Sequence, residues 1–301
     1  MSRSAARPSS FAKAFIAATG LWLLAQTSHA AELPQRWVSA GGSVSEWIVE
    51  LGGESRLVAV DTTSQHPASL EKMPKIGYQR QLSAEGVLAL RPDLLVGSEE
   101  MGPPPVLDQL RRASVRVEML SSKPELPALE NNLKHLGAWL GEPEQAQAHF
   151  AAFRDALNSL SSRLANNKDQ SPRVLLLVGG AGDRPLVAGS DTLGSWLLTQ
   201  AGATNIATHQ GYKPLSSEML LGLDPAFIVI ADRRINGPAA AQALVAQNPG
   251  LASSRAVREN HLLPLDATLL VGGLGPRLPA AAEALAKSFR PTLTTTIAHK
   301  P

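Results

Sequence analysis

The sequence contains no cysteine among its 301 residues, and aromatic side chains make up only 4% of it, with two tyrosines. A chain without cysteine forms no disulfide bonds, so it is not a small disulfide-stapled scaffold, and it offers no thiol for a lipid anchor. Its length, with 44% hydrophobic and 18% charged residues, is typical of a globular chain with one large or two modest domains.

The sequence also lacks an excess of either charge, since 28 basic residues face 26 acidic ones. This balance argues against a protein that grips nucleic-acid phosphates. No phosphate loop ending in Gly-Lys-Ser/Thr, no Gly-x-Ser-x-Gly elbow and no His-Glu-x-x-His sequence is present. The glycine-rich run 179–182 lacks the full dinucleotide spacing. We therefore expect a protein that is not an enzyme.

The longest apolar run near the N-terminus, residues 14–25, is too short for a membrane span, which needs about 20 residues. Three basic residues precede it and small residues follow at 28–30, a pattern typical of a cleaved secretory signal peptide. We expect cleavage after Ala30 or Ala31. Removing residues 1–30 leaves 25 basic against 26 acidic residues. These features predict a soluble periplasmic protein without a lipid anchor.

Short runs rich in Leu and Val alternate with helical stretches along the chain, which predicts an α/β fold with mainly parallel strands. The predicted strands lie at 36–40, 57–60, 94–96, 115–119, 174–178, 226–230 and 261–264. Between them, a long stretch has helical periodicity and little strand signal. We therefore predict an N-terminal lobe at 31–128, a connecting helical segment at 129–170 and a C-terminal lobe at 171–301.

An internal repeat links the two predicted lobes. The first copy begins at Gly77-Tyr78 and continues to Ser83 and Glu85, and the second begins at Gly211-Tyr212 and continues to Ser216 and Glu218. Each copy is followed by a predicted strand. Ser followed closely by Glu is also a common helix-capping pattern, so two similar helix starts are the alternative explanation. A true repeat predicts two similar lobes with a ligand cleft between them.

Tyr78 is the residue in this repeat with the most distinctive chemistry, because Arg80 follows two positions later. Free tyrosine has a pKa of about 10, but a ferric ion and a nearby guanidinium both favour the phenolate. Tyrosinate is one of the known axial ligands of haem iron. The alternative is a loop tyrosine with its hydroxyl in water. Scattered histidines and carboxylates leave a secreted metal carrier or enzyme as an alternative of a different class.

The motifs at residues 76–86, 185–192 and 272–277 carry a resemblance over essentially the whole mature chain. The sequence resembles the periplasmic haem-binding proteins of bacterial haem ABC importers, which are two-lobe, helix-bridged (class III) substrate-binding proteins. The resemblance implies two Rossmann-like lobes joined by a single long α-helix, with the ligand cleft between them. It implies capture of haem b and delivery to an inner-membrane permease.

The resemblance also implies a role for individual residues. Tyr78 matches the axial tyrosine, and Arg80 with Arg233 or Arg234 matches the partners of the phenolate or of the haem propionates. Some relatives ligate haem with a histidine in the loop that corresponds to residues 179–182, where this sequence has none. A single five-coordinate haem is therefore expected. The possible cleft-edge residues are Tyr212, Arg184 and Arg277.

The partners implied are an ABC permease dimer with its ATPase and, upstream, an outer-membrane haem receptor system. In related importers a glutamate on each lobe meets arginines of the permease, and Glu85 and Glu218 match those positions; helix capping is their alternative role. The protein is expected to be a monomer. The same fold also binds ferric siderophores and corrinoids, so these ligands stay open as alternatives.

Overall fold

The computed structural model describes residues 33–166, 171–179, 185–214, 216, 219, 222–232, 238–247 and 249–293. The predicted signal peptide, Arg184, Arg233, Arg234 and Glu218 lie outside these residues. All elements below belong to one unit that begins at Pro34. Within the described part of the chain, no helix combines the length and apolarity that crossing a membrane requires.

The N-terminal lobe is built on a four-stranded, all-parallel sheet in the order β2-β1-β3-β4. Neighbouring residues on its strands belong to opposite faces: Trp37 and Val96 pack in one apolar cluster, and Val38 and Leu95 pack in another. Both faces are therefore covered, as expected of a parallel sheet. The elements are β1 (Trp37–Ala40), α1 (Gly42–Glu50), β2 (Leu57–Val60), α2 (Ala68–Glu71), α3 (Ala84–Leu88), β3 (Leu94–Ser98), α4 (Pro104–Arg112) and β4 (Arg116–Leu120).

Two helices follow the first sheet, α5 (Leu126–Leu140) and α6 (Pro143–Ala165). The Arg56 guanidinium donates to the backbone oxygens of Trp139 and Leu140 at 3.1 and 3.0 Å, which fixes the end of α5 to the N-terminal lobe. The 23-residue helix α6 then reaches the C-terminal lobe, where Arg163 pairs with Glu283 at 3.1 Å. Helix α6 is therefore the single long connection between the lobes.

The C-terminal lobe carries a mixed sheet in the order β10-β9-β5-β6-β8, with β7 pairing with β5. Strands β10, β9, β5 and β7 are parallel, whereas β6 and β8 run antiparallel to their neighbours. The elements are β5 (Arg173–Gly179), β6 (Leu186–Ala188), α7 (Leu193–Gln200), β7 (Thr204–Asn205), β8 (Tyr212–Pro214), β9 (Phe227–Asp232), α8 (Pro238–Gln247), α9 (Arg255–Arg258), β10 (Leu262–Leu265) and α10 (Leu278–Phe289).

The observed strands confirm the predicted α/β architecture. Each of the seven predicted strands is present, with bounds that differ by at most two residues. The three short strands β6, β7 and β8 were not predicted. Strand β8 changes one interpretation: Tyr212 begins a strand, so the two tyrosines do not lie in equivalent loops.

Candidate ligand-binding cleft

A cleft opens where the four strands of the first sheet end. The segments that follow β2, β3 and β4 contribute to it, as expected at the carboxyl edge of a parallel sheet. Asp61, directly after β2, is fully buried and accepts hydrogen bonds from the Gly41 amide at 3.0 Å, the Thr63 hydroxyl at 2.8 Å and the Ser64 hydroxyl at 2.7 Å. This carboxylate fixes the segments that follow β1 and β2 relative to each other.

Tyr78 lies on the wall of this cleft and is partly buried. It lines a pocket of about 260 Å³ together with Thr62, Thr63 and, from the other lobe, Asp266 and Val271. Its loop has little freedom, because the Gly77 oxygen accepts from the Thr62 amide at 2.9 Å and the Tyr78 oxygen accepts from the Gln81 amide at 2.8 Å. The ring is therefore presented to the cleft by a fixed backbone.

Gln79, between the tyrosine and the arginine, is fully buried. Its side-chain oxygen accepts from the Ser98 hydroxyl at 3.3 Å, and its backbone oxygen accepts from the Gly102 amide at 2.9 Å. Because Gln79 is anchored to the end of β3, the residues on either side of it are held at the edge of the sheet.

Arg80 forms an ion pair with Glu100, with 2.8 Å between Nη2 and Oε1. Partial burial alone would lower the pKa of Arg80, but the Glu100 carboxylate and the nearby Tyr78 and Tyr212 hydroxyls raise it above its ordinary value. Two tyrosines from different lobes therefore lie within electrostatic reach of one guanidinium. Glu100 was not recognised in the sequence, because it lies 20 residues from Arg80 and on a different loop.

Tyr212 lines a second pocket, of about 280 Å³, at the other side of the same cleft. The Asp191 carboxylate accepts from the Gly211 amide at 2.5 Å, and the Gly189 amide donates to the Gly211 oxygen at 2.9 Å. Residues of the motif at 185–192 thus hold the backbone of the second Gly-Tyr pair in place through hydrogen bonds.

Matching hydrogen bonds support the internal repeat. The Ser83 hydroxyl accepts from the Gly86 amide at 3.4 Å, and the Ser216 hydroxyl accepts from the Met219 amide at 3.2 Å. Each serine hydroxyl thus accepts from the amide three residues ahead, the hydrogen bond that an N-cap serine makes. Glu85 is exposed and occupies the second helical position, whereas the residue that a capping box would use is Gly86. Capping therefore does not account for the Glu85 carboxylate.

Arg277 joins the lobes below the cleft. Its guanidinium donates to Glu46 on α1 at 2.7 Å and to Asp266 at 2.7 Å, and Asp266 also contacts His66 Nε2 at 2.9 Å. Burial raises the pKa of Glu46 above its ordinary value, although Arg277 and His66 lower it. Burial would also raise the pKa of Asp266, but hydrogen bonds from Thr268 and Arg277 hold it below its ordinary value. Arg277 is thus an inter-lobe contact at the cleft.

At the floor of the cleft, the two lobes contact each other closely. The Ser43 amide donates to the Val271 oxygen at 3.2 Å, and Trp47 Nε1 donates to the Leu274 oxygen at 2.7 Å. Gly272 has a φ of 89°, and a Cβ at this position would lie 2.7 Å from Ser43 Oγ. The Gly-Gly motif at 272–273 is therefore required for close packing of the lobes.

Comparison with known proteins places this geometry in context. A model of the periplasmic binding protein family matches residues 38–269. The crystal structure of a periplasmic haem-binding protein from Pseudomonas aeruginosa is 60% identical, with a TM-score of 0.85 over 87% of this chain and 95% of that chain.

Two further relatives differ in the ligand that they are named for. The periplasmic haem-binding protein BhuT, solved in complex with two haems, is 33% identical, with a TM-score of 0.76 over 86% of this chain and 99% of that chain. A vitamin B12-binding protein from Pectobacterium carotovorum is 30% identical over 70% of this chain and 75% of its own length. The compared proteins are binding proteins, and their two-lobe fold is the fold of this chain.

Proposed function

The chain belongs to the periplasmic binding protein family, and we propose that it captures haem in the bacterial periplasm and delivers it to an inner-membrane ABC permease. The observation that carries the proposal is the 60% identity, over nearly the whole chain, to a haem-binding protein of the same fold. The three basic N-terminal residues, the apolar run that follows them and the small residues at 28–30 support export through a cleaved signal peptide.

Tyr78 is the proposed iron ligand. It faces the inter-lobe pocket on a rigid loop, and the Arg80 guanidinium lies close enough to interact electrostatically with its hydroxyl. A positive charge beside a phenol favours the phenolate, and the Lewis acidity of ferric iron favours it further. Glu100 holds the guanidinium in place at 2.8 Å. Arg80 therefore serves the phenolate, which leaves the haem propionates to other cations, including Arg233 or Arg234.

We propose one haem per chain, held by a single protein ligand. The sequence lacks a histidine at 179–182, so the proposal differs from the two-haem state of BhuT. Titration with haem, together with a measurement of the iron-to-protein ratio of the purified complex, distinguishes one bound haem from two. A ratio of two would contradict a single-haem site.

A corrinoid is the second candidate ligand, because vitamin B12-binding relatives match 70% of the chain. Both ligands are flat metallomacrocycles that fit a cleft between two lobes. They differ in the metal, because haem carries iron, which a phenolate ligates. Tyr78 is the proposed source of that phenolate. Parallel titrations with ferric haem and with cyanocobalamin separate the two functions, and tight binding of cobalamin alone would overturn the haem proposal.

The decisive experiment is the visible spectrum of the Tyr78→Phe variant, which keeps the ring and removes the ligand oxygen. We expect the wild-type protein to show a Soret band with the charge-transfer bands of high-spin tyrosinate haem, and the variant to lose these bands and most of its affinity. Tyr212→Phe is the matched control. An unchanged spectrum in the Tyr78→Phe variant would refute the site.

A further inference from the structure

Lys123 lines the cleft on a segment whose backbone is held by several hydrogen bonds. The Ser121 amide donates to Asn132 Oδ1 at 3.0 Å, and Asn132 Nδ2 donates back to the Ser121 oxygen at 2.8 Å. The Ser122 amide donates to Glu99 at 3.2 Å, and the Lys123 amide donates to the Ser121 hydroxyl at 3.3 Å. The segment therefore presents the lysine side chain from a defined position between β4 and α5.

The other charged groups of this pocket are already bonded. Glu100 pairs with Arg80, and Asp191 accepts from the Gly211 amide. Lys123 lines the same pocket as these carboxylates and as Tyr212. Within the residues that the structure describes, no carboxylate lies within ion-pair distance of its ammonium group. Among the described residues that line this pocket, Lys123 is thus the cation that is free to meet an anionic ligand.

The pockets of Tyr78 and Lys123 share one wall. Val271 lines the pocket of Tyr78, while Leu270, Gly272 and Gly273 line the pocket of Lys123. The two pockets therefore lie on either side of the segment 270–273, and a flat ligand that extends across this segment enters both.

From this arrangement we propose that Lys123 is a carboxylate subsite, which binds an acidic side chain of the porphyrin while Tyr78 holds the iron. The inference rests on the proposed function and adds the specificity-determining residue that the sequence motifs did not indicate. Ammonium and carboxylate form a charge-assisted hydrogen bond, whereas ester or amide side chains offer the ammonium a neutral partner only. The subsite therefore selects dicarboxylic porphyrins over macrocycles with neutral side chains.

The test compares ferric protoporphyrin IX with its dimethyl ester on the mature protein, by Soret titration. In Lys123→Gln we expect haem affinity to fall about fivefold, the upper range for a solvent-accessible ion pair, and ester affinity to stay within twofold. Lys123→Arg should preserve the wild-type ratio of the two affinities. Lys213→Gln removes a nearby exposed lysine that does not line the pocket and serves as the matched control.

The ratio of affinities separates the possible outcomes. Equal losses for haem and ester in Lys123→Gln would mean that the lysine only supports the loop, and an unchanged haem affinity would mean that it meets no ligand; either result overturns the subsite. Failure of the proposed function would be seen differently, as haem binding that survives Tyr78→Phe or that is absent from the wild-type protein.

Discussion

Replacing Arg277 with Met removes the cation that joins Glu46 to Asp266. Glu46 is 4% exposed, so its carboxylate would be left in a buried site facing a second carboxylate. Breaking a buried ion pair from one side costs about 3–5 kcal/mol. Because Arg277 is 31% exposed and Asp266 can gain water, we take the lower end, about 3 kcal/mol. For a chain of this size, this corresponds to a fall in Tm of about 6–12 °C.

The loss should depend on pH in a defined direction. Without Arg277, the folded-state pKa of Glu46, which burial already raises, rises further. A carboxyl whose folded pKa is raised contributes stability below its unfolded pKa and loses it as the pH rises through the folded value. The difference between Arg277→Met and wild type should therefore be largest at pH 7 and smaller at pH 4.5, where Glu46 takes up a proton.

Thermal unfolding of the apo protein, followed by circular dichroism at both pH values, measures this difference. The double variant Glu46→Gln with Arg277→Met is the control, since removing both charges should recover most of the lost Tm. The reasoning is refuted if Arg277→Met lowers Tm by less than about 2 °C at pH 7, or if the deficit is the same at pH 4.5.

Two further predictions concern haem retention and delivery. Arg80→Ala should speed haem transfer to excess apomyoglobin about fivefold, because an exposed charge interaction with the phenolate is lost. A transfer rate within twofold of the wild-type rate would mean that Arg80 does not stabilise the bound haem. Glu85→Ala with Glu218→Ala should leave haem affinity intact and slow transfer to the permease in liposomes, with a smaller effect at high salt. Glu144→Ala, at an exposed glutamate on α6, is the control, and equal transfer by all variants would contradict permease docking.

The Tyr78 loop could be predicted from the sequence because its signals are local. Gly77, Tyr78 and Ser83 follow one another within a few positions, and the second copy repeats them. The longer parallel strands of both sheets could also be predicted, since buried parallel strands are continuous apolar runs. Local chemistry and periodicity were sufficient for these features.

The remaining features depend on contacts between distant positions. Strand β8 has three exposed residues and includes Pro214, so its pattern carries no strand signal, and it forms by antiparallel pairing with β6. Glu100 orients Arg80, and Lys123 shares a pocket with Tyr212. In the sequence, both look like ordinary charged surface residues, because only the folded chain places them at the cleft. No local pattern distinguishes such residues from solvated ones.

The close contact between the lobes at the floor of the cleft has a consequence for the design of a haem biosensor. Since Gly272 packs against Gly41 of the β1–α1 loop and against Ser43 of α1, and α6 spans the lobes, we expect the two lobes to have little room to rotate. A pair of fluorophores with one on each lobe would therefore report ligand capture with a small change in energy transfer. A single environment-sensitive dye on the rim, for example at an engineered cysteine replacing Ser122, would respond directly, and the absence of native cysteines makes its attachment site-specific.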